Sequence, residues 1–166
     1  MNIYLVRHAD AKKEEEDPSR PLSEKGLQDI KQIVLYLSRL NIKAGKIFHS
    51  GKLRAKQTAD VLFENLRPAK GISEADGLAP LDDPLLWVER LKDMPDGIFL
   101  VGHLPHLAKL ASVLLCGDAG KNIFLFRTAG IVCLKRDEAG AWYLQWMLTP
   151  DVVAGETGTS YTCDGL

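Results

Sequence analysis

IYLVRHADA, residues 3–11, is an apolar run that stops on a cation and an imidazole, Arg7 and His8. IFLVGHLPH, residues 98–106, repeats the pattern and stops on Gly102 and His103. Short apolar segments rich in β-branched and aromatic residues read as buried strands. Each histidine therefore follows the carboxyl end of a strand. In open α/β sheets, ligands bind beyond those ends.

Working outward, residues 11–21 (AKKEEEDPSRP) are charged and end in proline, so they read as a surface loop. Ser23 offers an N-cap, and Leu27, Ile30, Val34, Leu37 and Leu40 follow at helical spacing. KIFHS (46–50) is a second short strand, followed by a helix carrying Leu53, Val61, Leu62 and Leu66 and closed by Pro68. Residues 74–84 read as loop, LLWVERLKDM (85–94) as a short helix, and LPHLAKLASVLL (104–115) as a helix with Pro105 in its first turn. GIVCLKR (130–136) and WYLQWML (142–148) flank a Glu138-Ala139-Gly140 turn, as in a β-hairpin. The expected fold class is α/β: a single three-layer domain over residues 1–149, with a mostly parallel central sheet, helices on both faces and an antiparallel hairpin near the C-terminus. Residues 150–166 read as a tail.

The chain has 166 residues, 46% of them hydrophobic, and a formal net charge of −1, which is an ordinary globular balance. No nucleic-acid or membrane partner is expected from such a balance. No stretch approaches the ~18 apolar residues of a membrane span, and the first residues lack the pattern of a signal peptide. Cys116, Cys133 and Cys163 are an odd number with no CxxC pair, which fits reduced thiols and a cytoplasmic location.

A third element joins the two histidines: Arg54 lies in the first turn of the helix after KIFHS. If the strands are neighbours, Arg7, His8, Arg54 and His103 converge in one crevice. Guanidinium groups match phosphoryl oxygens bidentately. A neutral imidazole in line with phosphorus can act as nucleophile, and a protonated second one can stabilise the equatorial oxygens. The arginines supply the positive charge, so no metal or other cofactor is expected, and phosphate or sulfate is the anion expected to occupy the site. His103-x-x-His106 and His8-x-Asp10 lack a third ligand cluster and do not read as a metal centre. His106 reads as a helix-start residue near the pocket rim, His49 as structural, and Ser50-Gly51-Lys52 as a chance match to part of a P-loop.

VRHADA (6–11), RPLSEKG (20–26), HSGKLRAKQTA (49–59) and VGHLPH (101–106), taken in order, resemble the histidine phosphatase superfamily. Within that superfamily, which includes cofactor-dependent phosphoglycerate mutases, the chain looks like the small bacterial phosphohistidine phosphatases of the SixA type. The resemblance covers roughly residues 1–149. It implies that His8 forms a phosphohistidine intermediate and that Arg7, Arg54 and His103 hold the phosphoryl group. It places Arg20 at the border of the same pocket.

Two positions depart from the family pattern. Ala9 stands where many members have glycine. Gly77 falls in the register where many members carry a Glu or Asp general acid, with Asp76, Asp82 and Asp83 nearby and Asp76 the candidate acid. An alkoxide leaving group gains greatly from such an acid, whereas the imidazole leaving from phosphohistidine needs little help. The expected activity is therefore a phosphatase acting on phosphohistidine in a protein such as a phosphotransfer domain of a signalling relay. The alternatives are a small-molecule phosphomonoesterase using Asp76 and a non-catalytic phospho-ligand binding protein.

Overall fold

The structure, a computed structural model, describes residues 1–154. In chain order its elements are β1 (Asn2–Arg7), α1 (Glu24–Arg39), β2 (Lys46–His49), α2 (Leu53–Leu66), β3 (Ile72–Glu74), α3 (Leu85–Arg90), β4 (Ile98–Gly102), α4 (His106–Cys116), β5 (Ile131–Arg136), β6 (Trp142–Leu148) and α5 (Pro150–Ala154).

The strands form one sheet in the order β3-β2-β4-β1-β5-β6. β3, β2, β4 and β1 run parallel, while β5 pairs antiparallel with β1, and β6 with β5. The expected α/β class, mostly parallel sheet and terminal hairpin are all present. β4 lies between β2 and β1, with Arg7 opposite Gly102 and His49 opposite Val101. That register sets the carboxyl ends of three strands side by side.

Strand alternation divides the core in two, because successive side chains point to opposite faces. Tyr4, Val6, Phe99 and Val101 face α1 and α2, packing on Ile30, Ile33, Val34 and Leu37 of α1 and Ala55, Ala59 and Leu62 of α2. Ile3, Leu5, Ile98 and Leu100 face the other way, onto Trp87, Leu91, Leu107, Leu110 and Phe126. β1 and β4 are buried on both faces, which is why they read as unbroken apolar runs.

Ser23 caps α1 through a hydrogen bond from the Gly26 amide to its Oγ at 3.0 Å. Leu27 and Leu40, expected on the buried face of that helix, are exposed, and Ile33 takes the inward place. β3 falls within a stretch whose three residues carry no alternation long enough to announce a strand. α5 opens the stretch read as a tail, and its Val153 is buried with the α1-side core. Residues 155–166, including Cys163, lie outside the described residues. Among the described residues no helix is long and apolar enough to cross a membrane.

Candidate active site

Each side chain at the candidate site is placed by a strand end or the turn after it. Arg7 is the last residue of β1 and His8 follows it, with the His8 amide donating to Gly102 O of β4 at 3.1 Å. His103 follows β4. Arg54 lies in the first turn of α2, where Thr58 Oγ1 donates to its carbonyl at 2.7 Å. The same Thr58 Oγ1 accepts the Ala9 amide at 3.0 Å, so one buried hydroxyl ties the residue after His8 to Arg54. Ala9 is fully buried and does not have a positive φ, which removes the need for glycine there.

These elements bring His8, Arg54 and His103 together. The rings of His8 and His103 have centroids 4.9 Å apart, inclined at 51°. His8 Nδ1 contacts Ala9 O at 2.8 Å, and only a protonated nitrogen can bond a carbonyl oxygen, so Nε2 carries the lone pair. Arg54 Nε donates toward that Nε2 at 3.4 Å. Arg7 is anchored by a bond from its Nη1 to Phe126 O at 2.7 Å, and its buried Nε has no partner among the described residues.

Electrostatics favours an anion here. Burial pushes the His8 imidazole down to about 4, opposed by the Ala9 carbonyl and helped by the charges of Arg54, Arg7 and Arg20. Burial, then His8, Arg54, Lys52 and His106, push His103 down to about 3. Both guanidinium groups are themselves lowered, chiefly by burial. The cationic forms of these groups crowd one another, and an arriving anion relieves all of them at once.

Arg20 enters from the loop before α1. It takes a left-handed backbone with φ 50°, held by its amide bond to Asp17 O at 2.9 Å, while its Nε reaches Lys12 O at 3.4 Å. The segment is fastened to the end of β1: Ser23 N donates to Asp10 O at 3.0 Å, and Ser23 Oγ to Asp10 Oδ2 at 2.6 Å. Any Cβ at position 26 would run into the Asp10 backbone, so Gly26 is what permits this close approach.

Asp76 does not join the cluster in this structure. Its side chain is 80% exposed and pairs with Arg90 Nη2 at 2.7 Å. Position 77 cannot easily hold an acid either. Gly77 has φ +77°, and a Cβ there would stand 2.5 Å from Leu86 Cδ2. Glu74, Asp76, Asp82 and Asp83 instead line a cleft of about 430 Å³ that reaches Ser50. Ser50 is the site residue that sequence reasoning missed: its Oγ lies 2.6 Å from His103 Nε2. The position directly after a strand end was the available signal. His106 begins α4 as expected but is fully buried, not at a rim, because α4 packs flat onto the sheet. His49 is structural, its Nδ1 accepting the Gly51 amide at 3.1 Å. Among the described residues no group of three His, Cys, Asp or Glu side chains could hold a metal ion.

Two imidazoles and the guanidinium groups at adjoining strand ends make this a crevice suited to an anion. Residues 3–80 match the family model of the histidine phosphatase superfamily (branch 1). An uncharacterized protein of Picosynechococcus sp. is 36% identical over 147 residues, spanning 84% of this chain and 87% of that protein. The phosphohistidine phosphatase SixA of Escherichia coli is 24% identical over 155 residues, spanning 90% of this chain and 94% of that protein. A solved structure of the protein histidine phosphatase SixA complexed with tungstate shares the fold, with a TM-score of 0.82 and 23% identity over 92% of this chain and 99% of that one. The chain belongs to the histidine phosphatase superfamily.

Proposed function

We propose that the protein removes the phosphoryl group from phosphohistidine on a partner protein, such as a phosphotransfer domain, without a metal. The observation that supports this reading is that, among the described residues, neither Asp76 nor position 77 supplies a general acid to the cluster. Asp76 is turned to Arg90, and position 77 is a glycine whose left-handed backbone strains any side chain placed there. A phosphomonoester expels an alkoxide, which needs a proton that neither Asp76 nor position 77 is set to give. Phosphohistidine can take a proton on its other ring nitrogen, with a pKa near the ~6.5 of imidazole, and then expels a neutral imidazole. The acidic cleft beside Ser50 also disfavours leaving groups that carry their own negative charge.

In this mechanism the His8 Nε2 lone pair attacks phosphorus, and the P–N bond of a substrate ring protonated on its other nitrogen breaks with its electron pair returning to the ring, which leaves as neutral imidazole. Water then attacks the phosphorus of phospho-His8, and the pair returns to Nε2 as phosphate leaves. Arg7, Arg54 and His103 neutralise the oxygens throughout, and Arg20 borders the pocket. A pKa of about 4 leaves roughly one His8 in 10³ protonated at pH 7, so the nucleophile is available. Cys116 and Cys133 are free thiols, in keeping with a cytoplasmic site of action.

The deciding experiment compares phosphate release from a phosphohistidine-bearing phosphotransfer domain by the wild type and His8→Ala, with EDTA present. Brief acid quenching then tests for label on the enzyme. Rapid release that vanishes in His8→Ala is the expected result. Loss of all activity in EDTA would overturn the metal-free mechanism. Turnover of alkyl or aryl phosphates alone would move the substrate to small molecules, for which the carboxylates of the cleft would be the proton source. Phosphate binding without any turnover would leave a binding protein.

A further inference from the structure

We propose that Ser50 is a positioning residue for His103: its hydroxyl fixes the imidazole plane while the ring is neutral and accepts a hydrogen bond from Nε2–H of the imidazolium when a phosphoryl anion is bound. The inference rests on the phosphoryl-binding reading of the site, not on which substrate brings the phosphoryl group.

His103 is 2% exposed, and its buried Nδ1 has no hydrogen-bond partner among the described residues. Its ring is therefore oriented through Nε2, which meets Ser50 Oγ at 2.6 Å. The two residues meet because β2 and β4 are parallel neighbours with His49 opposite Val101; Ser50 and His103 lie one and two residues beyond that pair. A hydroxyl suits this place because it can reverse its role. With neutral His103 it can donate to Nε2, and with the imidazolium it accepts from Nε2–H. On reversal its own proton faces the cleft lined by Glu74, Asp76, Asp82 and Asp83, where acceptors are at hand.

Charge makes the reversal relevant. His103 feels His8 after β1, Lys52 before α2, Arg54 in its first turn, and His106 on α4, all of which oppose its protonation. A bound phosphoryl group brings about two negative charges and turns that balance toward the imidazolium. Ser50 is then the only protein acceptor on Nε2 among the described residues. Without it, a buried N⁺–H loses its partner.

The test uses Ser50→Ala and Ser50→Thr, with inorganic phosphate as ligand and an aryl phosphate as substrate. Nitrogen-15 imidazole spectra of the phosphate-saturated proteins would be followed against pH, beside pH profiles of kcat and kcat/KM. In Ser50→Ala the His103 titration is expected to fall by about one pH unit, from the loss of one charge-assisted hydrogen bond. The basic limb of kcat should move down with it, kcat should drop roughly tenfold with KM little changed, and the acid limb should stay in place. Ser50→Thr, which keeps the hydroxyl, should restore the wild-type profile. An unchanged His103 titration in Ser50→Ala, with phosphate still shifting both rings in the wild type, would overturn this inference alone. If phosphate shifts neither ring in the wild type, the phosphoryl-site reading falls and this inference with it.

Discussion

The imidazoles of His8 and His103 stand with centroids 4.9 Å apart although 95 positions separate them in the chain. The parallel pairing of β1 with β4 puts Arg7 opposite Gly102, so the residue after each strand must meet the other. Both rings are held neutral by burial and by the surrounding cations. A pair whose charging is opposed by its own cationic neighbours is suited to receive an anion.

His8→Ala should lower kcat by at least ~10³-fold on any phosphoryl substrate, since the covalent route is lost. Acid-quenched label on the protein should disappear together with turnover. Retained labelling in His8→Ala would place the nucleophile elsewhere.

Arg54→Ala and Arg7→Ala should each weaken inorganic phosphate binding by about 10- to 100-fold, the loss of one or two charge-assisted hydrogen bonds. Arg7→Lys should not recover it, because a lysine cannot hold Phe126 O and grip an oxygen with a planar fork at once. Calorimetric titration with phosphate measures both effects. Asp76→Asn, by contrast, should change binding and turnover less than twofold; its side chain faces solvent and Arg90.

Stability should fall as pH is lowered from about 6.5 toward 4. All four histidines are depressed, with burial the leading cause in each. In that window the unfolded chain takes up protons that the folded chain refuses, so the equilibrium moves toward unfolding. The stabilisation is complete above the unfolded value near 6.5 and is lost as pH falls through about 4 for His8 and about 3 for His103. Urea midpoints measured from pH 7 to pH 4 should show the slope, and phosphate should reduce it by pairing with the cations it meets. A flat profile would mean that the rings are hydrated in solution.

Thr58→Val should cost about 1–3 kcal/mol, because the Ala9 amide is left buried without an acceptor. Gly77→Ala should cost a similar ~1–3 kcal/mol from the left-handed backbone and the approach to Leu86. Chemical denaturation reads both. Thr58→Val should also slow turnover, since it frees the Arg54 carbonyl from its bond, whereas Gly77→Ala reaches the site only through the cleft wall.

The sequence by itself determined the strands that carry Arg7, His8 and His103 and the helix that carries Arg54. Doubly buried parallel strands are written as continuous apolar runs, and each functional residue sits directly where its run stops. Local signals also announced the Ser23 cap and the closing hairpin. Tertiary structure alone decided the rest. β3 is three residues long and exists only through its pairing with β2. The burial of His106 follows from how α4 lies on the sheet. Asp76 pairs with Arg90, 14 positions away, because α3 folds back toward it, which no local pattern encodes. Ser50 acquires a partner in His103 only because β2 and β4 are neighbours in a sheet whose strand order is not their chain order. Propensity and periodicity act over a few residues, whereas which strand ends share a crevice is settled by the packing of two helical layers on one sheet.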